Sequence, residues 1–474
     1  MTSQTHRIGE IDVLRGAAVL GILAVNIGVT AQPVHLAAEP SLTGPVAPWD
    51  LAAWLLVEIF FTGKFVTIFS ALFGATLLLV GGEGEDPERN RVVRRRLWWL
   101  ALFGLVHGAL IWWGDILLSY ALFGLFALRF RHRSPRWLLL VGLLLMAMTG
   151  ALEVIGTLTS LPAKDPSLAE LAETLARYRG DLALTQASNL ENWSNGYLGS
   201  LFTYGFVTTG LMLVGMALFK SRVLQGGRSD AFYRWSMVAG GLALVAVAVP
   251  NLRYALSGYQ ADEAYDQAWL VNTFAAPVIA LGYLGVVVLA CRRQGVAARW
   301  LGPVGRMAFS NYIAQSLIMT GLFWGGRGLG LYGRLDEAAL LGVVVVVWAA
   351  QVVLSGWWLT RFHYGPLEWV WRRLSTAARR PSCASGPAAR PPTSRSGPAA
   401  RRPRTARRPA TPPPPDRSPP QSPAHWPPPR PPPSRPRRRS AAPSAPPRRP
   451  APAAPRRGPT GCGGWRPCQA RCGN

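Results

Sequence analysis

Through its first 360 positions the chain alternates long apolar runs with short polar interruptions, and each run of about 20 residues is long enough to cross a bilayer as a helix. Ten crossings are predicted, near 11–31, 59–80, 97–113, 116–130, 137–160, 198–219, 235–250, 270–290, 304–325 and 339–360. The fourth is short. The second is preceded by 49–59, which reads either as part of one long tilted helix or as an interfacial lead-in. The expected fold is all-α, a polytopic membrane bundle of about ten helices.

Polar residues inside these runs carry the functional signal. In RIGEIDVLRGAAVLGILAVNI (7–27), Asp12, Arg15 and Asn26 fall within roughly 60° of one another on a helical wheel, so they form one stripe that should face protein. Ionisable groups in a span cost at least about 2.5 kcal/mol each on insertion scales and mark sites or pathways; the alternative is an Asp12–Arg15 pair that locks the helix to its neighbours.

Charge sets the orientation. The loops expected to share a side with the N-terminus (89–96, 129–136, 220–234 and 292–299) carry 16 Lys and Arg, and the opposite loops carry six. By the positive-inside rule both termini are cytoplasmic, in a bacterial inner membrane. The first run resembles a signal peptide, but its length, its polar stripe and the spans that follow argue against cleavage. In the long outer loop, 161–197, Ser167-x-x-Glu170 ahead of Leu171 and Leu175 predicts a capped amphipathic helix on the outer surface.

Composition divides the chain into a polytopic segment, 1–378, and a tail, 379–474, with 21 arginines, no lysine, one acid and 29 of the 41 prolines. The tail accounts for +20 of the net +26 and reads as disordered. Absence of lysine beside so much arginine suggests GC-rich codons read in a shifted frame after Thr376; a linker-like tail, or one that binds a specific partner, is the alternative. Nucleic acid is not an expected partner. Cys383, Cys462, Cys468 and Cys472 match no zinc spacing, Cys291 stands at a span end, and neither a metal site nor a disulfide framework is implied.

The strongest chemical constellation is RRRLWWLALFGLVHGALIWWGDILLSY (94–120), which brings an arginine cluster ending at Arg96 together with His107 and Asp115. His107 lies roughly 9 Å below Trp113, deep but nearer the outer face, and Asp115 follows the tryptophan pair at the turn. His107 as general base, oriented by Asp115, would activate a hydroxyl or amine. The plainer reading makes His107 a hydrogen-bonded core histidine and Asp115 a helix N-cap. His35, in a proline-flanked outer loop, is a competing base. Glu58 and Lys64 interrupt the second apolar region, where Lys64 either snorkels or pairs with a helix carboxylate; a structural pairing is the expectation. In GPVGRMAFSNYIAQSLI (302–318), Arg306 and Asn311 are candidates for binding a phosphate-bearing ligand, with topological anchoring the alternative for Arg306. HYGPLEWVWRRL (363–374) predicts an interfacial helix beneath the bundle. No P-loop, G-x-G-x-x-G after a strand, HExxH or G-x-S-x-G occurs.

The segments quoted above, with FFTGKFVTIFSALFG (60–74), resemble in order the YeiB-like family of bacterial membrane proteins, a family of unknown function (DUF418). The D-x-L-R-G opening at Asp12 is also similar to that of membrane acyltransferases of the heparan glucosaminide acetyltransferase and acyltransferase-3 groups. That resemblance implies a cytoplasmic acyl donor, acyl-CoA as co-substrate, and an envelope glycan or lipid acceptor. The acyltransferase-3 pattern has a histidine where this chain has Asn26, and asparagine cannot act as a base, so acyl transfer would need His107 or His35. The leading expectation is a transmembrane acyltransferase; a transporter, a lipid flippase or a non-catalytic membrane protein are the alternatives.

Overall fold

A computed structural model of the protein describes residues 9–84, 86–159, 167–293 and 296–376. The expected tail from 379 lies outside the described residues, which contain helices and no strand. In chain order the α-helices are α1 (Gly9–Ala31), α2 (Val34–Ala38), α3 (Pro48–Phe60), α4 (Lys64–Gly81), α5 (Pro87–Val106), α6 (Leu117–Ala127), α7 (Pro135–Thr159), α8 (Leu168–Arg179), α9 (Leu182–Glu191), α10 (Leu198–Lys220), α11 (Asp230–Leu256), α12 (Asp262–Arg292), α13 (Val296–Arg306), α14 (Ala308–Phe323), α15 (Glu337–Arg361) and α16 (Pro366–Thr376).

Local chemistry starts these helices where the sequence supplies caps. Asp86 accepts from the N–H groups of Glu88 and Arg89 ahead of α5, with Pro87 where a lost donor does no harm. Ser229 and Asp336 cap α11 and α15 in the same way, and Ser167 and Glu170 form the expected capping box.

The burial pattern is that of a protein solvated by lipid. α1 is 67% buried, at the centre, whereas the outer helices α7 and α15 bury only 22% and 28% of their most apolar stretches and expose Leu140, Leu144 and Val346. Exposed apolar surface of this extent on the outer membrane-length helices is rare in water-soluble folds. Among the described residues, six helical stretches are long and apolar enough to cross a membrane: α1, α3 with α4, α7, α11, α12 and α15. The other four expected crossings fall on α5, α6, α10 and the α13–α14 pair, which are charged at one end, short or interrupted, so length and composition alone do not carry the count of ten.

Two ends of the bundle are chemically distinct. At the basic end, Lys220 bridges Glu83 and the carbonyl of Arg133, Arg131 donates to Gly84, and Arg292 pairs with Asp230 and donates to Gly226 and Arg228. The arginine-rich turns therefore gather on one face. The opposite end is built by α2, α8 and α9. The loop expected to hold one amphipathic helix holds two, because Asp181 caps a second helix two residues after the first ends. α8 docks through buried Leu171 and Tyr178, and Arg179 ties it to the carbonyls of Tyr332 and Gly333.

α1 and α13 cross with almost no separation. A Cβ on Gly16 would come within 2.2 Å of the Leu301 carbonyl oxygen, and one on Gly305 within 1.8 Å of that of Asp12. Only glycine permits such an approach.

Candidate functional site

α5 ends in a π-helical turn, His107–Ile111, which directs His107 into the core instead of continuing the helix. Such turns are rare and concentrate at functional sites. Helix ends leave carbonyls without partners, and here other elements take them. Asn189 on α9 donates to Gly108 and Ala109, Gln186 donates to Ala109, and Arg327 donates to Leu110 and Ile111 while resting over the Trp324 ring. The turn holding His107 is thus clamped from two sides.

His107 is 1% exposed, Asp115 0% and Ser316 5%. His107 Nδ1 lies 2.9 Å from Asp115 Oδ1, and its Nε2 lies 2.9 Å from Ser316 Oγ on α14. In the neutral ring, with the carboxylate as acceptor, the proton sits on Nδ1 and Nε2 is left to accept from the serine hydroxyl. Asp115 is held in turn: its Oδ1 accepts from Leu117 N–H and its Oδ2 from Leu118 N–H, at 3.1 and 2.8 Å. A Cβ on Gly104 would meet Leu118 N at 2.3 Å and Asp115 Oδ2 at 2.9 Å, so that glycine gives the turn room to close. Asp115 thus both caps the first turn of α6 and hydrogen-bonds the His107 ring. Tyr312 packs its ring 5.2 Å from the imidazole, and Trp112 stands edge-on at 6.4 Å.

Two cavities approach this cluster. One, of about 190 Å³, opens toward the basic end; its apolar body includes Phe69, Phe73, Leu100 and Phe309, with Arg15 and Arg306 on its wall and Tyr312 and Leu117 nearest His107 and Asp115. The other, of about 450 Å³ at the opposite end, is polar and lined by Trp113, His35, Glu170, Arg177 and Tyr178 among others. There the Ser167 backbone N–H and hydroxyl hold the Glu170 carboxyl below its ordinary range, and burial pushes the Tyr178 phenol up to about 12.

The remaining predicted residues divide. Arg15 donates to Asp12 Oδ1 at 3.2 Å and to Thr76 Oγ1 at 3.3 Å, so the Asp12–Arg15 pair forms and Arg15 still borders the cavity. Asn26 does not join them: along α1 it lies roughly 21 Å from Asp12 and roughly 16 Å from Arg15, outside both cavities. Arg96, the end of the arginine cluster expected beside His107 and Asp115, lies with its guanidinium over the Trp371 ring of α16 and does not line the cavity. Asn311 is structural. Its Nδ2 donates to the Val304 carbonyl and Ser355, and Gln351 donates to its own carbonyl, clasping α13, α14 and α15. Arg306 remains on the cavity wall and also donates to the His363 carbonyl.

Lys64 donates directly to the Glu58 main-chain carbonyl at 2.9 Å and to Asn272 Oδ1 at 2.7 Å, and the Glu58 carboxyl acts on it through space. The expected structural pairing is therefore electrostatic, with a carbonyl and an amide as the direct hydrogen-bond partners. Cys291 is a half-buried free thiol near the end of α12. Among the described residues no three His, Cys, Asp or Glu side chains converge as a metal site would require.

Sequence reasoning missed Ser316, Arg327 and Glu368. Glu368 on α16 accepts from the N–H groups of Phe309 and Ser310 and from the Ser310 hydroxyl, capping α14 from another helix. A signal for Ser316 existed: Asn311 with Gln315, and Ser316 with Thr320, set two buried polar i,i+4 pairs into an otherwise apolar helix.

Residues 218–378 match a family described as a protein of unknown function, DUF418. The uncharacterized protein YeiB of Escherichia coli (strain K12) is 34% identical over 390 residues, covering 78% of this chain and 97% of that protein. The chain belongs to the DUF418 family. The uncharacterized protein YxaH of Bacillus subtilis (strain 168), 29% identical over 401 residues, aligns over 80% of this chain and 97% of its own length. An uncharacterized 39.9 kDa protein from the amylase 3′ region of Bacillus acidopullulyticus, 27% identical, covers 79% and 96%. No solved structure gives a significant match. With its membrane-length helices and bacterial relatives, this DUF418 chain is a multi-pass membrane protein of bacterial type.

Proposed function

We propose that this protein moves an acyl group from a donor bound at the basic, cytoplasmic end onto a hydroxyl of an envelope glycan or lipid reached from the opposite end. The observation that carries this reading is the buried Asp115–His107 pair, fixed at hydrogen-bond distance, whose chain neighbours Leu117 and Trp113 line the inner and the outer cavity respectively. The inner cavity suits the donor. Its apolar body accepts a chain, and the Arg15 and Arg306 guanidiniums offer fork-shaped donors to a phosphate such as that of coenzyme A. The outer cavity, with its carboxylates and aromatic rings, suits a polar acceptor.

His107 would take the acceptor's proton at Nε2 as the hydroxyl attacks the acyl carbon, and Asp115 would stabilise the imidazolium formed. Burial of the pair keeps water from competing for the acyl group.

The test is transfer of label. Membrane vesicles holding the full chain and given a ¹⁴C-acyl thioester of coenzyme A should label envelope glycan or lipid. His107→Ala should lower that rate by about 10² to 10⁴ with melting temperature retained, and His35→Ala should leave it unchanged. Wild-type vesicles no more active than vesicles lacking the protein would overturn the proposal in favour of transport.

A further inference from the structure

A serine hydroxyl, an imidazole and a carboxylate placed in sequence at 2.9 Å and 2.9 Å form the arrangement that turns a weak oxygen nucleophile into a strong one. Serine in a membrane helix ordinarily bonds back to the carbonyl four residues earlier. Ser316 has that option at Tyr312, but the oxygen is 3.4 Å away, so the shorter contact to Nε2 takes the proton. Thr320, Thr67 and Ser70, by contrast, make the ordinary back-bond at 2.9, 2.7 and 2.8 Å. Ser316 is set apart from them by its partner.

A second, independent feature of the same spot points to a ligand. Trp112, 3% exposed and edge-on to His107, has an indole N–H with no hydrogen-bond acceptor among the described residues. The indole N–H of Trp193 is likewise without an acceptor, and it lies against Gly108, the residue after His107: a Cβ there would meet Trp193 Nε1 at 2.1 Å. Buried donors are nearly always satisfied, and leaving one unmet costs about 1–3 kcal/mol. Of the two, the Trp112 donor stands in ring contact with His107 and suits an oxygen that becomes negative during reaction, while the Trp193 donor lies one residue along, at Gly108.

We propose that Ser316 is the nucleophile of this site and carries the acyl group as an ester between donor and acceptor. The inference rests on the acyl-transfer reading above. In the first step Ser316 Oγ attacks the thioester carbonyl carbon and its proton passes to His107 Nε2. The C–O bond forms, the C–S bond breaks, and the departing thiolate takes the proton from His107. In the second step the acceptor hydroxyl gives its proton to Nε2 and attacks the ester carbon; the Ser316 C–O bond breaks and Oγ recovers the proton. Tyr312, one helical turn before Ser316, lines the inner cavity, so a chain lying there approaches Ser316 past that ring. A direct transfer, with His107 acting on the acceptor alone, would leave Ser316 unmodified.

The two routes separate in an acceptor-free experiment on the full-length protein in detergent, with ¹⁴C-acetyl and ¹⁴C-palmitoyl thioesters of coenzyme A as probes. The expected result is label on the peptide bearing Ser316, absent from Ser316→Ala and reduced at least 100-fold in His107→Ala. Ser316→Cys, which keeps a nucleophile of similar size, should take up label as a thioester that neutral hydroxylamine removes. The proposal is overturned if wild-type protein transfers label to acceptor while Ser316 never carries it and Ser316→Ala transfers within about threefold of wild type; the acyl-transfer reading would then stand without it. Absence of transfer by the wild-type protein would overturn both. Melting curves of each variant identify any loss that comes from misfolding, and retained labelling in Ser316→Cys confirms that the fold tolerates change at this position.

Discussion

Asp115 and His107 are bound through an oxygen that is already in use: Oδ1, 2.9 Å from the imidazole Nδ1, also accepts the Leu117 N–H that opens α6. The start of one helix and the orientation of the ring on its neighbour are therefore set by one carboxylate.

Asparagine at this position separates the two roles. Asp115→Asn keeps one oxygen for the α6 N–H groups, but its amide nitrogen donates where Nδ1 needs an acceptor, which forces the wrong imidazole tautomer. Activity should fall by about 10² to 10⁴ while melting temperature drops only slightly. Asp115→Ala should lose activity and also about 1–2 kcal/mol of stability. Equal melting temperatures for the two variants would show that capping by Asp115 contributes little; equal activities of Asp115→Asn and wild type would show that it does not orient the ring.

Glu368 is the reason α16 stays where it is. It accepts two backbone N–H groups and one hydroxyl from the first turn of α14, an end that would otherwise lack acceptors. Glu368→Ala should cost about 1–2 kcal/mol by thermal unfolding and free α16 for proteolysis after Arg372 or Arg373. Protection at those sites equal to wild type would mean that Trp371, through its bond to the Arg96 carbonyl, holds α16 unaided.

Lys64 is wholly buried and relies on an amide and a carbonyl. Asn272→Leu should destabilise the protein by about 2–3 kcal/mol, because the ammonium loses a partner it cannot replace in the core. Adding Lys64→Met should recover most of that loss, a coupling that a double-mutant cycle of melting measurements reads directly. Additive losses would indicate that the two residues stabilise the bundle separately.

The charge asymmetry predicts which end faces the cytoplasm. With the five native cysteines replaced by serine, a membrane-impermeant maleimide added to intact cells should label Ser194→Cys, on the far end, and not Arg228→Cys, on the basic end. Both positions are exposed, so the opposite pattern would invert the orientation.

Much of the bundle was legible because water-hating runs and the arginines that bound them leave a strong one-dimensional trace. Asp12, Arg15, His107 and Asp115 were legible for the converse reason: an ionisable group inside an apolar run stands out. Asn26 and Arg96 stand away from the cluster because a helical wheel reports angle and discards distance along the axis, and because the half-buried Arg96 meets Trp371 of a helix distant in sequence. Ser316 and Glu368 gave little trace. A serine in a span usually satisfies itself, and a glutamate near a helix start usually serves its own helix. Their roles depend on which helices meet, a fact of tertiary packing.

The touching backbones of Gly16 and Gly305 have a geometric consequence for the residues beside them. Arg15 and Arg306 are their immediate chain neighbours, so the spacing of those two Cα atoms follows from a contact between main chains and not from the choice of rotamers. The two guanidiniums are prongs rooted in a common weld: they can swing, but their bases keep a fixed gauge. A methyl group at either glycine would widen that gauge and part α1 from α13 at the same time.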